Sequence, residues 1–338
     1  MVDTQFRSGL RLNLALAVLV VALCIASLSV GPAGLSPQAA LAALWSGDGP
    51  AGLIVRDIRL PRMLLAALIG ATLGAAGAAL QGLLRNPLAA PELFGAPQAA
   101  AATASAAIAF GFLPAISFAV PLAGIAGALI SIGGLVAIAG RRASLTVTLL
   151  AGLALASFAG AATALVLNLA PNPFIALEVA FWLLGSLEDR SIDHLIIAAP
   201  FFIVSFIVLA PCGRAFRALT LGEDTAQSLG VDVDRTRALV VIGVAIGVGA
   251  AVAVAGSIGF VGLVAPHLIR RLVGSDPGRV MLPAALAGAA LLLAADIAVR
   301  IVPSAIELKV GVVTALIGVP FFLAMIFAER RALEGAPS

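Results

Sequence analysis

The chain is poor in charge, lysine, cysteine and histidine, and each shortage closes off a class of function. Only 11% of its 338 residues are charged, against roughly 25% in soluble domains, so a water-soluble globular domain is excluded. Lys309 is the single lysine, and no G-x-x-x-x-G-K-[ST] run exists. The chain therefore has no phosphate-binding loop, and ATP-driven work would need another subunit. Cys24 and Cys212 both fall inside apolar runs, which suits buried, inert thiols and gives neither a disulfide framework nor a metal site. The two histidines, His194 and His267, come without HExxH, paired acids or a Ser/His pairing, so nothing supports a membrane-embedded enzyme. The net charge of +3 comes from basic residues spread over short connections, which makes no nucleic-acid surface.

What is abundant is apolar: 62% of residues, with a mean hydropathy of +1.14. The stretch from Arg59 to Gly95 shows how this material is used. Arginines open it, about 22 uncharged residues (Met63 to Leu84) follow, and an Arg-Asn-Pro knot closes it. That length suits a helix crossing a bilayer at ~1.5 Å per residue. Its Gly/Ala content lets helices approach closely, so packing replaces the hydrophobic effect that lipid cannot supply between helices. Arg85, Asn86 and Pro87 are expected to cap its end.

Uncharged runs divide into ten spans, 12–30, 60–84, 92–111, 114–139, 144–169, 192–212, 237–256, 258–272, 279–300 and 309–329. The expected fold is an all-α polytopic membrane protein forming a single transmembrane domain over 1–338. The first apolar run is longer than the roughly 7–15 residues of a cleaved signal and reads as a retained helix. Ten crossings put both termini on one side, together with fourteen basic residues against six on the other, which makes that side cytoplasmic. Outside, Gly31 to Ile58 is expected to carry a short helix over Pro37 to Trp45. Inside, Gly213 to Thr236 reads as two short helices with apolar positions Phe216, Leu219, Ala226, Leu229 and Val231.

A shift of 175 residues aligns Arg62–Gly95 with Arg237–Arg270 without a gap, ten of 34 positions being identical. These include Arg62/Arg237, Gly74/Gly249, Ala78/Ala253 and the coincident PLAAPEL and GLVAPHL. An odd number of crossings separates the copies, so they insert in opposite directions, with the second to fifth helices matching the seventh to tenth. Inverted repeats of this kind build pathways that open to alternate sides.

LPR-(x)n-LQGLLRNPLAAPELFG, LGEDTAQSLGV, GSIGFVGLVAPHLIRRLVG, LLAADIAVR and ELKVGVVTALIGVPFF follow one another in that order. Together they resemble the permease subunit of ABC importers for iron–siderophore complexes, haem and cobalamin, the FecCD type. The resemblance implies a bacterial inner-membrane permease that moves an iron chelate by alternating access, iron–siderophore first. It implies a dimer with a second copy or a similar subunit, two cytoplasmic ATP-binding subunits holding ATP and magnesium, and an external substrate-binding protein. No cofactor or metal is expected in this chain.

The resemblance also gives roles to residues. Arg56, Arg59 and Arg300 would dock the binding protein through its carboxylates; Arg56, Arg59 and Arg62 recur every three residues and are expected to share one helical face. Arg62 is read as structural. The segment 213–237 would couple to the ATPase through Leu221, Gly222, Glu223, Asp224, Gln227, Leu229 and Gly230. Asn86 and Pro87, with Leu145 and Thr146 in the loop from Arg141 to Thr148, would belong to the inner gate. Pro91 and Pro266 are expected to break helices. His267 is read as a helix-end hydrogen-bonder rather than a haem ligand. Asp296 stands one turn before Arg300 and should neutralise it. A secondary transporter would also use inverted repeats, but it usually needs ionisable groups near the membrane middle, and these spans carry none there.

Overall fold

The fold is given by a computed structural model that describes residues 2–46, 49–111, 118–140, 145–274, 276–303 and 307–334. The chain enters through α1 (Val2–Ser29), passes α2 (Pro37–Ser46) and α3 (Gly49–Leu53), and winds through a π-helical turn (Ile54–Arg59) into α4 (Leu60–Leu84). A 3₁₀ turn (Pro91–Phe94) leads into α5 (Ala96–Phe110), followed by α6 (Ala119–Ala139), α7 (Leu145–Asn168), α8 (Pro173–Leu183) and α9 (Ile192–Leu209). Two short helices, α10 (Cys212–Leu219) and α11 (Glu223–Ser228), precede α12 (Val233–Ala255), α13 (Val261–Arg270), α14 (Pro277–Ile301) and α15 (Val310–Glu334). No strand occurs among the described residues.

Each expected span carries a helix, and eight of these helices are long and apolar enough to cross a membrane. α5 (15 residues) and α13 (10 residues) are not; α13 rises only about 15 Å at ~1.5 Å per residue. Gly256 (φ 70°) ends α12, and residues 257–260 connect it to α13. Such non-helical backbone survives at membrane depth only inside protein or along a water-filled cavity; in the connection Ile258 is buried, Gly259 and Phe260 are half-buried and Ser257 is exposed. α8 has no counterpart among the expected spans; Asn172 caps it by accepting from the Ile175 N–H at 3.0 Å. The break expected at Gly111–Pro114 falls largely outside the described residues.

α4 and α12 are buried along most of their lengths and form the centre. α1, α7, α9 and α15 turn large apolar side chains outward, among them Leu14, Leu150, Ile203 and Leu316, as lipid-facing helices do. The packing carries the repeat. Gly74 of α4 sits against the Ala284 carbonyl of α14, and its counterpart Gly249 of α12 sits against Ala128 of α6. Gly70 and Gly288 also lie on each other's backbone, so the α4–α14 seam is built from small residues one turn apart. The repeat departs from symmetry at the shared Leu-x-Ala-Pro-x-Leu. Pro91 opens a 3₁₀ turn, whereas Pro266 lies inside α13 without breaking it. The expectation that Pro266 breaks a helix is thus corrected: α13 continues because only the Gly262 carbonyl loses its partner, and that oxygen faces Gly77 of α4.

Candidate functional site

Where the chain enters α4, the three arginines diverge. In the π-helical turn they no longer share a face, contrary to the three-residue spacing expected of an α-helix. Arg56 is exposed and donates to the Leu44 and Trp45 carbonyls at the end of α2, at 2.6–3.0 Å. Arg59 is 4% exposed and donates to the carbonyls of Leu28 (2.7 Å) and Ser29 (2.8 Å) at the end of α1. Arg300 grips the same helix end, donating to the Ser27 carbonyl (2.8 Å), the Val30 carbonyl (3.1 Å) and the Ser27 hydroxyl (2.6 Å). A helix C-terminus leaves four carbonyls unpaired and carries partial negative charge, so two guanidinium forks suit it. In this geometry Arg59 and Arg300 spend their donors inside the chain, and of the three docking candidates only Arg56 is exposed.

Behind them lies a charge cluster that joins α4, α14 and the connection after α14. Asp296 is fully buried; it accepts from Arg62 Nε at 2.8 Å and pairs with Arg300 at 2.9 Å. Arg62 also holds Glu307 through both of its terminal nitrogens. Thus Asp296 pairs with Arg300 as expected, and Arg62 is structural. On the same side, Lys309 bonds Glu188 at 2.6 Å, and the Ser186 N–H donates to the Ala255 carbonyl at 2.8 Å. Groups that the ten-span count assigns to one side of the bundle therefore do meet.

An Arg59→Met variant tests the α1 clamp. It keeps the stem but removes charge-assisted bonds to two carbonyls, so a loss of about 2–3 kcal/mol is expected. Thermal unfolding in detergent measures it, and faster hydrogen exchange confined to residues 27–30 would localise it. Equal exchange there in both proteins would refute the clamp.

At the other end of the bundle, α4 stops where Arg85 takes a left-handed conformation (φ 50°). Asn86 does not itself occupy the left-handed cap; its Oδ1 accepts from the Leu88 N–H at 2.9 Å and shapes the turn. Pro87 follows at the half-buried bend. Gln81, which the sequence reading did not single out, ties this turn to the second repeat. Its amide donates toward the Ala89 and Leu263 carbonyls at 3.5 and 3.4 Å, and it accepts from Arg270 at 3.0 Å. The signal for it was available, since Gln81 is a lone amide in a span otherwise built almost wholly of apolar residues. Leu145 and Thr146 begin α7 at its partly exposed start, while residues 141–144 of that loop lie outside the described residues. His267 packs edge-on against Phe321 of α15, ring centroids 5.5 Å apart. Among the described residues no group of three His, Cys, Asp or Glu side chains gathers that could hold a metal ion.

The polar segment after α9 forms the two short helices expected. α10 buries Cys212, Ala215, Phe216 and Leu219, and α11 buries Ala226. Leu229, which belongs both to the expected apolar positions and to the expected coupling turn, is 63% exposed, as is Leu221. The reason is that α11 lasts only six residues and Gly222 (φ 102°) and Gly230 (φ 84°) redirect the chain at both ends, which breaks the helical period. Asp224 and Gln227 are exposed beside them, and Glu223 is half-buried. Arg217 of α10 pairs with Asp276 at 3.0 Å, and Arg237 of α12 pairs with Glu223 at 3.5 Å, so the segment is fixed to the helices at both sides.

A small-residue helical bundle with a broken eighth crossing, an ion-paired outer rim and a fixed polar segment at the opposite end defines a membrane-embedded transport subunit. Residues 19–328 match the FecCD transport family, and the chain belongs to that family. It is 36% identical over 321 residues to the Fe(3+)-citrate import system permease protein YfmE of Bacillus subtilis, covering 94% of this chain and 95% of that one. It is 43% identical over 288 residues to the cobalamin import system permease protein BtuC of Halobacterium salinarum, with 84% and 76% covered. It is 34% identical over 332 residues to the hemin transport system permease protein HmuU of Yersinia pestis, with 95% and 96% covered. Its fold is similar to a solved inward-facing structure of a metal-chelate type ABC transporter, with a TM-score of 0.84, 29% identity, and 94% and 99% of the two chains covered.

Proposed function

We propose that the chain is the permease of an ATP-driven importer in a bacterial inner membrane, with both termini cytoplasmic, carrying an iron chelate by alternating access. Iron–siderophore is the first cargo to test, with haem and cobalamin next, since relatives are named for siderophore, hemin and cobalamin transport. The assembly comprises a second permease copy or similar subunit, two ATP-binding subunits that hold ATP and magnesium, and an external binding protein. Arg56 is the exposed docking arginine, with Arg59 and Arg300 fixing the rim behind it.

The observation that carries this reading is the α10–α11 segment. Two leucines, Leu221 and Leu229, stand exposed on its most polar stretch, and ion pairs fix it to α12 and α14. Exposed apolar groups rimmed by polar ones suit a protein partner, and a segment so anchored can pass a partner's motion into the central helices. Asn86, Pro87, Leu145 and Thr146 are proposed to close the inner mouth.

The test is reconstitution of the permease with its ATPase and binding protein in vesicles. Uptake of a ferric siderophore should require ATP, and L221D/L229D should lower ATPase association roughly tenfold or more while leaving the unfolding temperature unchanged. Uptake that persists without the ATPase would instead support an ion-coupled transporter.

A further inference from the structure

A cavity of about 890 Å³ opens beside α1 at the end of the bundle that carries α10 and the α13–α14 connection. The family assignment does not use it, because it lies between α1, α9 and α14 at the rim rather than between the gate residues. Its walls are apolar, with Leu10, Phe206 and Met281 among them, and Leu10, Leu272 and Leu282 at its edge are 54–64% exposed. On a bundle whose outer helices face lipid, such an edge is continuous with the acyl-chain region.

The polar part of the lining is basic. Arg271 is exposed and enters no ion pair among the described residues. Arg279 is half-buried and shares Asp276 with Arg217. Asp276 is the acidic residue of the lining, and its oxygens already accept from Arg217, Arg279 and the Gly278 N–H. Two arginines against one fully engaged carboxylate leave a positive niche. A third feature points inward: Asn13 Oδ1 is buried on the cavity wall without a hydrogen-bond partner among the described residues. A buried acceptor of this kind calls for a donor.

We propose that this cavity binds one anionic phospholipid of the adjacent leaflet, held by Arg271 and Arg279 at its phosphate. A headgroup hydroxyl donates to Asn13 Oδ1, and the acyl chains lie along Leu10, Phe206 and Leu282. A glycerol headgroup supplies the charge, the donor and the tails together, whereas free phosphate lacks the tails and a choline headgroup lacks both net charge and donor. The bound lipid would tie α1, otherwise packed mainly on α14, to α9 and α10.

The experiment uses the purified full chain, delipidated in detergent and titrated separately with phosphatidylglycerol, phosphatidylcholine and inorganic phosphate. Unfolding temperature and lipid retained by native mass spectrometry are read. Phosphatidylglycerol should be preferred over phosphatidylcholine by roughly ten- to thirty-fold, the scale of two basic side chains near a membrane surface, and should raise the unfolding temperature. R271Q/R279Q should erase that preference. Gly9→Leu should block retention sterically without touching a charge, because Gly9 lines the cavity with nothing near its missing Cβ. Equal retention of the two lipids by the native chain would overturn the proposal. So would a phosphate effect as large as that of phosphatidylglycerol, or a preference that survives both variants.

Discussion

Replacing Asp296 by alanine is expected to cost about 3–5 kcal/mol, the loss found when one partner of a buried ion pair is removed. Asp296 is fully buried between Arg62 and Arg300. Without its carboxylate, Arg300 keeps only backbone and hydroxyl acceptors on α1, and Arg62 keeps only Glu307. The cluster has three arginines, counting Arg59, and two carboxylates, so it already holds one excess positive charge opposite the α1 carbonyls. Removing Asp296 raises that excess to two, more than one helix dipole offsets. The variant should unfold at lower temperature in detergent and yield less folded protein. Asp296→Leu combined with Arg300→Met should lose less than Asp296→Leu alone, because the second change removes a buried cation that the first leaves without a carboxylate. Stability within about 1 kcal/mol of the native chain for the alanine variant would show that the cluster is solvated and the argument wrong.

That cluster also marks where sequence reasoning reached and where it stopped. The pairing of Asp296 with Arg300 follows from one helical turn, and local periodicity makes it visible. The partnership of Arg62 with Asp296 spans 234 residues, and no local rule reaches that far. Arg56, Arg59 and Arg62 were misread for a different reason. The spacing assumes 3.6 residues per turn, and the π-helical turn over Ile54–Arg59 changes the angle at which each side chain leaves.

The helical order was legible because each crossing needs a long uncharged run, and charges punctuate those runs cleanly. The short eighth crossing was visible as an anomaly of Gly and Pro. α8 was not, since its 11 residues fall below the length that signals a span and follow closely on α7. The rim where α4 ends was half legible: the turn at Arg85–Pro87 was expected, but its tie to the second repeat through Gln81 and Arg270 depends on packing.

The seam between α4 and α13 yields the other large expected effect. Gly77→Val should abolish stable accumulation of the chain and uptake with it. A Cβ at Gly77 would overlap the carbonyl oxygen of Gly262, which is backbone and cannot rotate away. That carbonyl is also special, because Pro266 has no N–H to donate to it within α13. Close approach of the Gly77 Cα hydrogens gives the oxygen its remaining weak partner. Valine would force α4 and α13 apart, next to the α4–α14 seam at Gly74 and Gly70, at a cost of about 3 kcal/mol or more. The control is Gly133 of α6, whose added Cβ would meet nothing within 4 Å. Gly133→Ala should leave uptake intact and raise stability by as much as about 1 kcal/mol through helix propensity. Accumulation in the membrane and unfolding in detergent measure both. If Gly77→Val accumulated and transported like Gly133→Ala, the two helices would not meet at this seam, and the central packing that places the pathway would need to be redrawn.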